Sequence, residues 1–116
     1  MPEAQTNLEV RRPNEATAII AIRGELTGAT DGPLMDAYGQ ASDALTRVVV
    51  LDFTELEYMN STGIGLLVTL LVRAQRQRQK LMAFGLSEHY REILSLTRLD
   101  EAIGIVDSEA DALRSS

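Results

Sequence analysis

Residues 48–71, VVVLDFTELEYMNSTGIGLLVTLL, decide the fold. The stretch opens on an unbroken apolar run, Val48-Val49-Val50-Leu51, closed by Asp52. A strand apolar on both faces is what a buried parallel sheet requires. Phe53 to Met59 reads as a loop. Asn60-Ser61-Thr62-Gly63-Ile64-Gly65 follows and runs into a long apolar segment. The order strand, loop, helix places Asn60-Ser61-Thr62 where the helix begins. Unsatisfied backbone N–H groups and the positive end of the helix dipole gather there. A hydroxyl at such a point is well sited to carry, or lose, a phosphate.

The helix is expected from Ser61 to about Gln79. Its first two turns are apolar nearly all round, so it is buried on several sides or offers a partner surface. Its last turns, RAQRQRQK, put cations at the negative end of the dipole. Downstream, Leu81 to Phe84 reads as a strand and Ser87 as the cap of a helix from Glu88 to about Leu96, with Ile93 and Leu94 inward. Ala102 to Val106 reads as a last strand. Asp107-Ser108 would cap a terminal helix carrying Ala110 and Leu113 inward. Upstream, Met1 to Thr6 reads as a disordered leader. Asn7 to Arg12 alternates as a half-exposed strand, and Pro13-Asn14-Glu15 is turn chemistry. Ala16 to Arg23 reads as a second strand, paired with the first and ended by Gly24. Glu25 to Thr30 reads as a loop. A helix is expected from Pro33 to Leu45, capped by Asp31 or Gly32. Gly39 inside it costs roughly 1 kcal/mol against alanine and suggests close packing on the sheet. After the initial hairpin, strands and helices alternate, which argues for an α/β domain.

The chain has 116 residues, a size that fits one domain and one core. Its formal charge of -6 argues against nucleic acid or an anionic membrane as a partner through net charge. With no cysteine, thiol catalysis, disulfides and thiolate metal sites are excluded. That composition fits a reducing compartment such as the cytoplasm. His89 is the only histidine, so a histidine-clustered metal site is excluded too. No apolar run reaches membrane-spanning length.

Gly24-Glu25-Leu26 after the second strand, and Asp52 followed by Met59-Asn60-Ser61-Thr62-Gly63-Ile64-Gly65, resemble a STAS domain. More narrowly, they resemble the stand-alone bacterial anti-sigma factor antagonists. The resemblance implies a single α/β STAS-like domain over residues 7–114, with a mixed β-sheet of about five strands and about four helices. It also implies partner switching in a stress response. In that scheme Ser61, with Thr62 as second choice, is phosphorylated by an anti-sigma factor that is a serine kinase. The unmodified protein binds that kinase and frees a sigma factor. A PP2C-type phosphatase restores the unmodified form. The family needs no cofactor and has no turnover of its own. Two positions depart from the family pattern, with Asn60 and Thr27 standing where relatives commonly carry aspartate.

The surface implied for the partner comprises Gly24, Glu25, Thr27, Asp52, Tyr58, Met59, Asn60, Thr62, Gly63 and Ile64. Each has a plainer alternative. Asn60-Ser61-Thr62 is also an ordinary helix cap. Gly63 and Gly65 are costly in a helix's first turns, which calls for either a close backbone approach or tight sheet packing. Asp52 ends a central strand, where open α/β sheets place sites, and is equally a loop-capping carboxylate. Tyr58 and Met59 are core or interface rim. Arg73, Arg76, Arg78 and Lys80 are a solvated helix end or a patch for an acidic partner. The Gly-rich segment lacks the lysine and spacing of a phosphate loop, and Ser61 lacks a G-x-S-x-G context, so neither nucleotide binding nor hydrolysis is expected. A constitutive STAS subunit of a transporter or larger signalling complex is the alternative function.

Overall fold

The computed structural model describes residues 7–115; the leader expected at residues 1–6 lies outside them. Six strands and four helices follow in the order β1 (Asn7–Asn14), β2 (Thr17–Leu26), α1 (Asp31–Ala41), β3 (Val48–Asp52), β4 (Leu56–Met59), α2 (Ser61–Arg76), β5 (Lys80–Phe84), α3 (Glu88–Leu96), β6 (Gly104–Ile105) and α4 (Glu109–Ser115). The spatial order is β1-β2-β3-β5-β6, with β4 alongside β2. Only β1 and β2 are antiparallel. The pairs β2–β3, β3–β5 and β5–β6 are parallel.

After β1 the parallel strands march across the sheet in one direction. Crossovers of parallel strands are right-handed, so every connecting helix must fall on the same face. α1, α2 and α3 accordingly share one apolar layer with Ile20, Ile22, Leu51, Phe53, Leu67, Leu70 and Leu94. The opposite face carries Ile19, Val48, Val50, Met82 and Phe84, with Ala112 of α4 packed on them. Strand alternation divides the residues between the layers, and β3 is buried on both sides as its run of valines and leucine requires.

Several boundaries differ from the sequence expectation, each for a non-local reason. Gly24 does not end β2. It takes φ +85, and β2 continues to Leu26 through a register shift at Gly24 and Glu25. That extension meets β4, which the sequence reads as loop: Gly24, Glu25 and Leu26 pair with Leu56, Tyr58 and Met59. α1 starts at Asp31 behind Thr30 and stops at Ala41, short of Leu45. Arg12 and the Thr46 hydroxyl both donate to the Ala41 carbonyl, and Asp43 Oδ1 accepts from the N–H groups of Leu45 (2.9 Å) and Thr46 (3.1 Å). This knot turns the chain and leaves Leu45 exposed. α2 closes at Arg76, and Arg78 takes a left-handed φ of 59° before β5. β6 shrinks to two residues, and α4 buries Ala112 while Ala110 faces out. No atom lies within 4 Å of a Cβ built on Gly39, so that glycine marks no close helix–sheet approach. The Ser87 cap forms as expected, its hydroxyl accepting from Tyr90 N–H at 3.3 Å.

Buried polar groups are satisfied. Tyr38 Oη donates to Gln79 Oε1 at 2.6 Å, and Gln79 Nε2 donates to Ser42 Oγ at 2.6 Å. This chain ties α1 to the turn between α2 and β5. Among the described residues no buried side-chain nitrogen or oxygen lacks a partner.

Candidate functional site

The start of α2 is built by three elements. β4 delivers Met59, whose side chain is buried in the main core. Its backbone N–H donates to the Tyr90 hydroxyl of α3 at 2.9 Å. Asn60 is the N-cap, with extended backbone and its Oδ1 accepting from Gly63 N–H at 2.9 Å. An asparagine oxygen here satisfies one of the donors that a helix start leaves open. Asn60 N–H in turn donates to the Leu26 carbonyl at 3.3 Å, fixing the helix start against the end of β2.

Gly63 explains the closeness of that contact. A Cβ at this position would lie 2.1 Å from the Leu26 oxygen and 3.1 Å from the Met59 side chain. Close backbone approach is thus the reason for this glycine. Gly65 is different: it is exposed, with nothing within 4 Å of a built Cβ. The chain before α1 packs on the same corner. Thr27 Oγ1 accepts from Ala29 N–H at 3.3 Å, and Thr30 Oγ1 accepts from Thr27 N–H at 3.1 Å, closing a single helical turn. The Thr62 methyl sits 3.2 Å from where a Gly28 Cβ would stand.

The exposed members of this corner are Ser61, Thr62, Tyr58, Gly28 and Gly65, with Glu25, Thr27, Asn60 and Ile64 half-buried around them. Tyr58 is 48% exposed and next to Met59 on the strand, so alternation turns it outward. Ser61 and Thr62 hydroxyls have no hydrogen-bond partner among the described residues. Gly24 and Gly63 are buried and act through backbone shape.

Asp52 does not belong to this group. Alternation along β3 turns its side chain to the α4 face. There Oδ2 accepts from Arg11 at 3.3 Å, and Oδ1 accepts from Thr54 N–H at 2.9 Å and Thr54 Oγ1 at 2.6 Å. It is the loop-capping carboxylate of the two readings. Arg11 also donates through both terminal nitrogens to Glu109 of α4, at 3.2 and 3.3 Å. That hydrogen bond, with the surrounding carboxylates and against partial desolvation, raises the Arg11 pKa further. His89 is exposed, its ring centroid 5.0 Å from that of Tyr90. Among the described residues no three histidine, aspartate or glutamate side chains gather as a metal site, and no helix is long and apolar enough to cross a membrane.

Leu26, Gly28 and Tyr90 complete the corner; Leu26 stands in the Gly24-Glu25-Leu26 run that the sequence singles out, whereas Tyr90 lies far from any site stretch it marks. Leu26 acts through a carbonyl, and Tyr90 through a contact 31 residues away that leaves no local pattern. Gly28, beside a threonine that caps a turn, has a readable signal of its own.

Residues 9–107 match the protein family described as Mlab, STAS domain. A curated relative, the anti-sigma-B factor antagonist of Listeria monocytogenes, is 26% identical over 105 residues, covering 90% of this chain and 92% of its own. The crystal structure of an anti-sigma factor antagonist from Mycobacterium paratuberculosis superposes with TM-score 0.80 at 19% identity, covering 95% of this chain and 92% of the other. SpoIIAA, an anti-sigma factor antagonist, is similar in its unphosphorylated form, with TM-score 0.74 at 16% identity over 92% of this chain and 93% of its own. The phosphorylated form of SpoIIAA, the cell fate determinant of Bacillus, gives TM-score 0.68 at 17% identity over 94% and 98%.

Proposed function

This chain belongs to the STAS domain family, and we propose that within it the protein acts as an anti-sigma factor antagonist switched at Ser61. In this role the unmodified form binds an anti-sigma factor that is also a serine kinase, and so releases a sigma factor. Phosphorylation of Ser61 ends the binding, and a PP2C-type phosphatase reverses it. The protein is a binding module with no turnover of its own.

One observation carries the proposal. The Ser61 hydroxyl is exposed at the first position of α2 and has no partner among the described residues, while the cap itself is supplied by Asn60. A phosphate can therefore be added without breaking a native hydrogen bond. It adds about -1.5 to -2 charge at neutral pH. At a helix N-terminus that charge is favourable within the fold. A partner packed over Tyr58, Thr62 and Gly28 would instead have to desolvate it, a cost of several kcal/mol. The switch then acts on binding and leaves the fold alone. SpoIIAA keeps one fold in its phosphorylated and unphosphorylated forms, which supports the same economy here.

Mass spectrometry of the protein from its native host, resting and stressed, tests the site. A phosphate on Ser61 whose occupancy changes with condition is expected. Ser61→Asp should bind the anti-sigma kinase roughly 100-fold more weakly than wild type, and Ser61→Ala about as well as wild type. Equal affinity of the two variants would refute the proposal.

Asn60 favours a second reading. It caps α2 without the negative charge that a kinase would meet on an aspartate. A constitutive STAS subunit of a transporter or signalling complex needs the cap and no phosphate. Absence of phosphate in every condition, with a membrane permease as the copurifying partner, would select it.

A further inference from the structure

The cations of this protein divide into two sets. Six arginines are ion-paired: Arg11 with Asp52 and Glu109, Arg12 with Asp43, Arg23 with Glu9 and Glu55, Arg91 with Asp107, Arg98 with Glu101, and Arg114 with Asp111. Arg47, Arg73, Arg76, Arg78 and Lys80 have no carboxylate partner among the described residues. All five are exposed. All five lie at one end of the domain, where α2 closes and β3 and β5 begin, with Lys80 on the α4 side and Arg73 on the α1 side. Arg73 and Arg76 occupy the last turn of α2, Arg78 the turn that follows, and Lys80 the first position of β5. Lys80 N–H donates to the Arg47 carbonyl at 2.8 Å, which brings Arg47 alongside.

Helix electrostatics account for only part of this cluster. Arg73 and Arg76 complement the dipole of α2. Arg47, Arg78 and Lys80 lie outside the helix. Arg78 moreover stands at φ 59°, a conformation that glycine or asparagine adopts at less cost. Arg73 is held in place, its guanidinium 4.9 Å from the centre of the Tyr38 ring. Arg47 and Lys80 bond to backbone carbonyls, Ala44 and Thr46 for the one and Ser115 for the other, and no carboxylate among the described residues pairs with them.

We propose that this basic end of α2 is a docking surface for a short acidic segment of a partner protein, separate from the Ser61 corner. Four of the five cations are arginines, whose planar forks match carboxylates in pairs. The patch is local. With its five charges set aside, the rest of the chain stands at -11. A long polyanion or an extended anionic surface would overrun the patch and meet that field. A short acidic segment would not. Exposed Leu45, two residues before Arg47, and Val72, one turn before Arg76, border the patch and offer apolar contacts to such a segment. α2 runs from Ser61 to Arg76, so at about 1.5 Å per residue the patch begins about 18 Å from Ser61, at Arg73. The two surfaces can be occupied independently.

The test is fluorescence anisotropy with a labelled peptide of alternating glutamate and serine, and with the same peptide carrying glutamine for glutamate. Anionic phosphatidylglycerol vesicles and a single-stranded oligonucleotide are run beside them. The intact protein should bind the acidic peptide, lose it as salt rises, and ignore the glutamine peptide. Arg76→Gln combined with Arg78→Asn should weaken binding about ten-fold, one exposed pair being lost per arginine. A thermal melt of that variant checks the fold, and Arg47→Gln with Lys80→Gln is a second, independent pair. Ser61→Asp should leave peptide binding unchanged, which keeps this surface distinct from the proposed switch. Equal peptide binding by wild type and both double variants would overturn the proposal. So would tighter, arginine-dependent binding of the vesicles or the oligonucleotide.

Discussion

Gly63 and Gly65 lie two residues apart in the same helix, and alanine at each should move stability in opposite directions. At Gly63 the new Cβ would sit 2.1 Å from the Leu26 oxygen and 2.8 Å from its carbonyl carbon. Those are backbone atoms of β2 and cannot rotate away. Real Cβ atoms essentially never come within 3.0 Å, so the start of α2 must withdraw by close to 1 Å. Overpacking of this kind costs about 1–3 kcal/mol. The Asn60 N–H bond to Leu26, already 3.3 Å, is lost as well, for about 1 kcal/mol. Alanine's helix propensity returns about 1 kcal/mol. Net destabilisation of about 1–3 kcal/mol is expected. At Gly65 nothing lies within 4 Å, so only the propensity term acts and the variant should gain about 1 kcal/mol. For a domain of this size each kcal/mol moves the melting temperature by roughly 4 °C. Urea unfolding followed by circular dichroism, with the slope m held constant, separates the two. A Gly63→Ala protein as stable as wild type would refute the close approach of α2 to β2, and with it the geometry of the Ser61 corner.

Gln79→Leu should destabilise by about 1–3 kcal/mol, because it leaves the buried Tyr38 hydroxyl without its 2.6 Å acceptor; adding Tyr38→Phe should recover part of the loss, and a double-mutant cycle by urea denaturation would expose simple additivity. Tyr90→Phe removes the acceptor of Met59 N–H and should cost about 1 kcal/mol, with faster hydrogen exchange at the Met59 amide as the local signature. The Asp43 carboxyl is held below its ordinary value of 3.8, first by the Leu45 N–H and then by Thr46. A depressed carboxylate pKa stabilises the fold above that ordinary value, and the stabilisation fades as pH falls through the lower folded value. The stability gap between wild type and Asp43→Ala should thus be constant between about pH 5 and 7 and shrink below about pH 4; an unchanged gap at about pH 3 would contradict this.

Legibility in the sequence followed the range of the forces involved. β3 was readable because burial on both faces writes itself as Val48-Val49-Val50-Leu51. The caps at Asn60 and Ser87 were readable because a cap acts on an N–H three residues away. β4 was not. Its sequence, Leu-Glu-Tyr-Met, pairs with β2 only because Gly24 at φ +85 bends that strand toward it, across more than 30 residues. Leu45 fits the helical period of α1, yet Arg12 and Thr46 end the helix at Ala41. A periodic pattern cannot register a guanidinium arriving from another strand.

The sequence by itself determined the α/β class, the buried central strand, the helix that starts at Ser61, and the residues that cap it. These follow from hydrophobic spacing and short-range hydrogen bonds, which any local stretch of chain carries with it. Tertiary structure alone decided which of two neighbouring glycines is obligatory, which face Asp52 takes, and which cations remain unpaired. Each of those depends on strand register and on what a distant segment brings within a few ångströms.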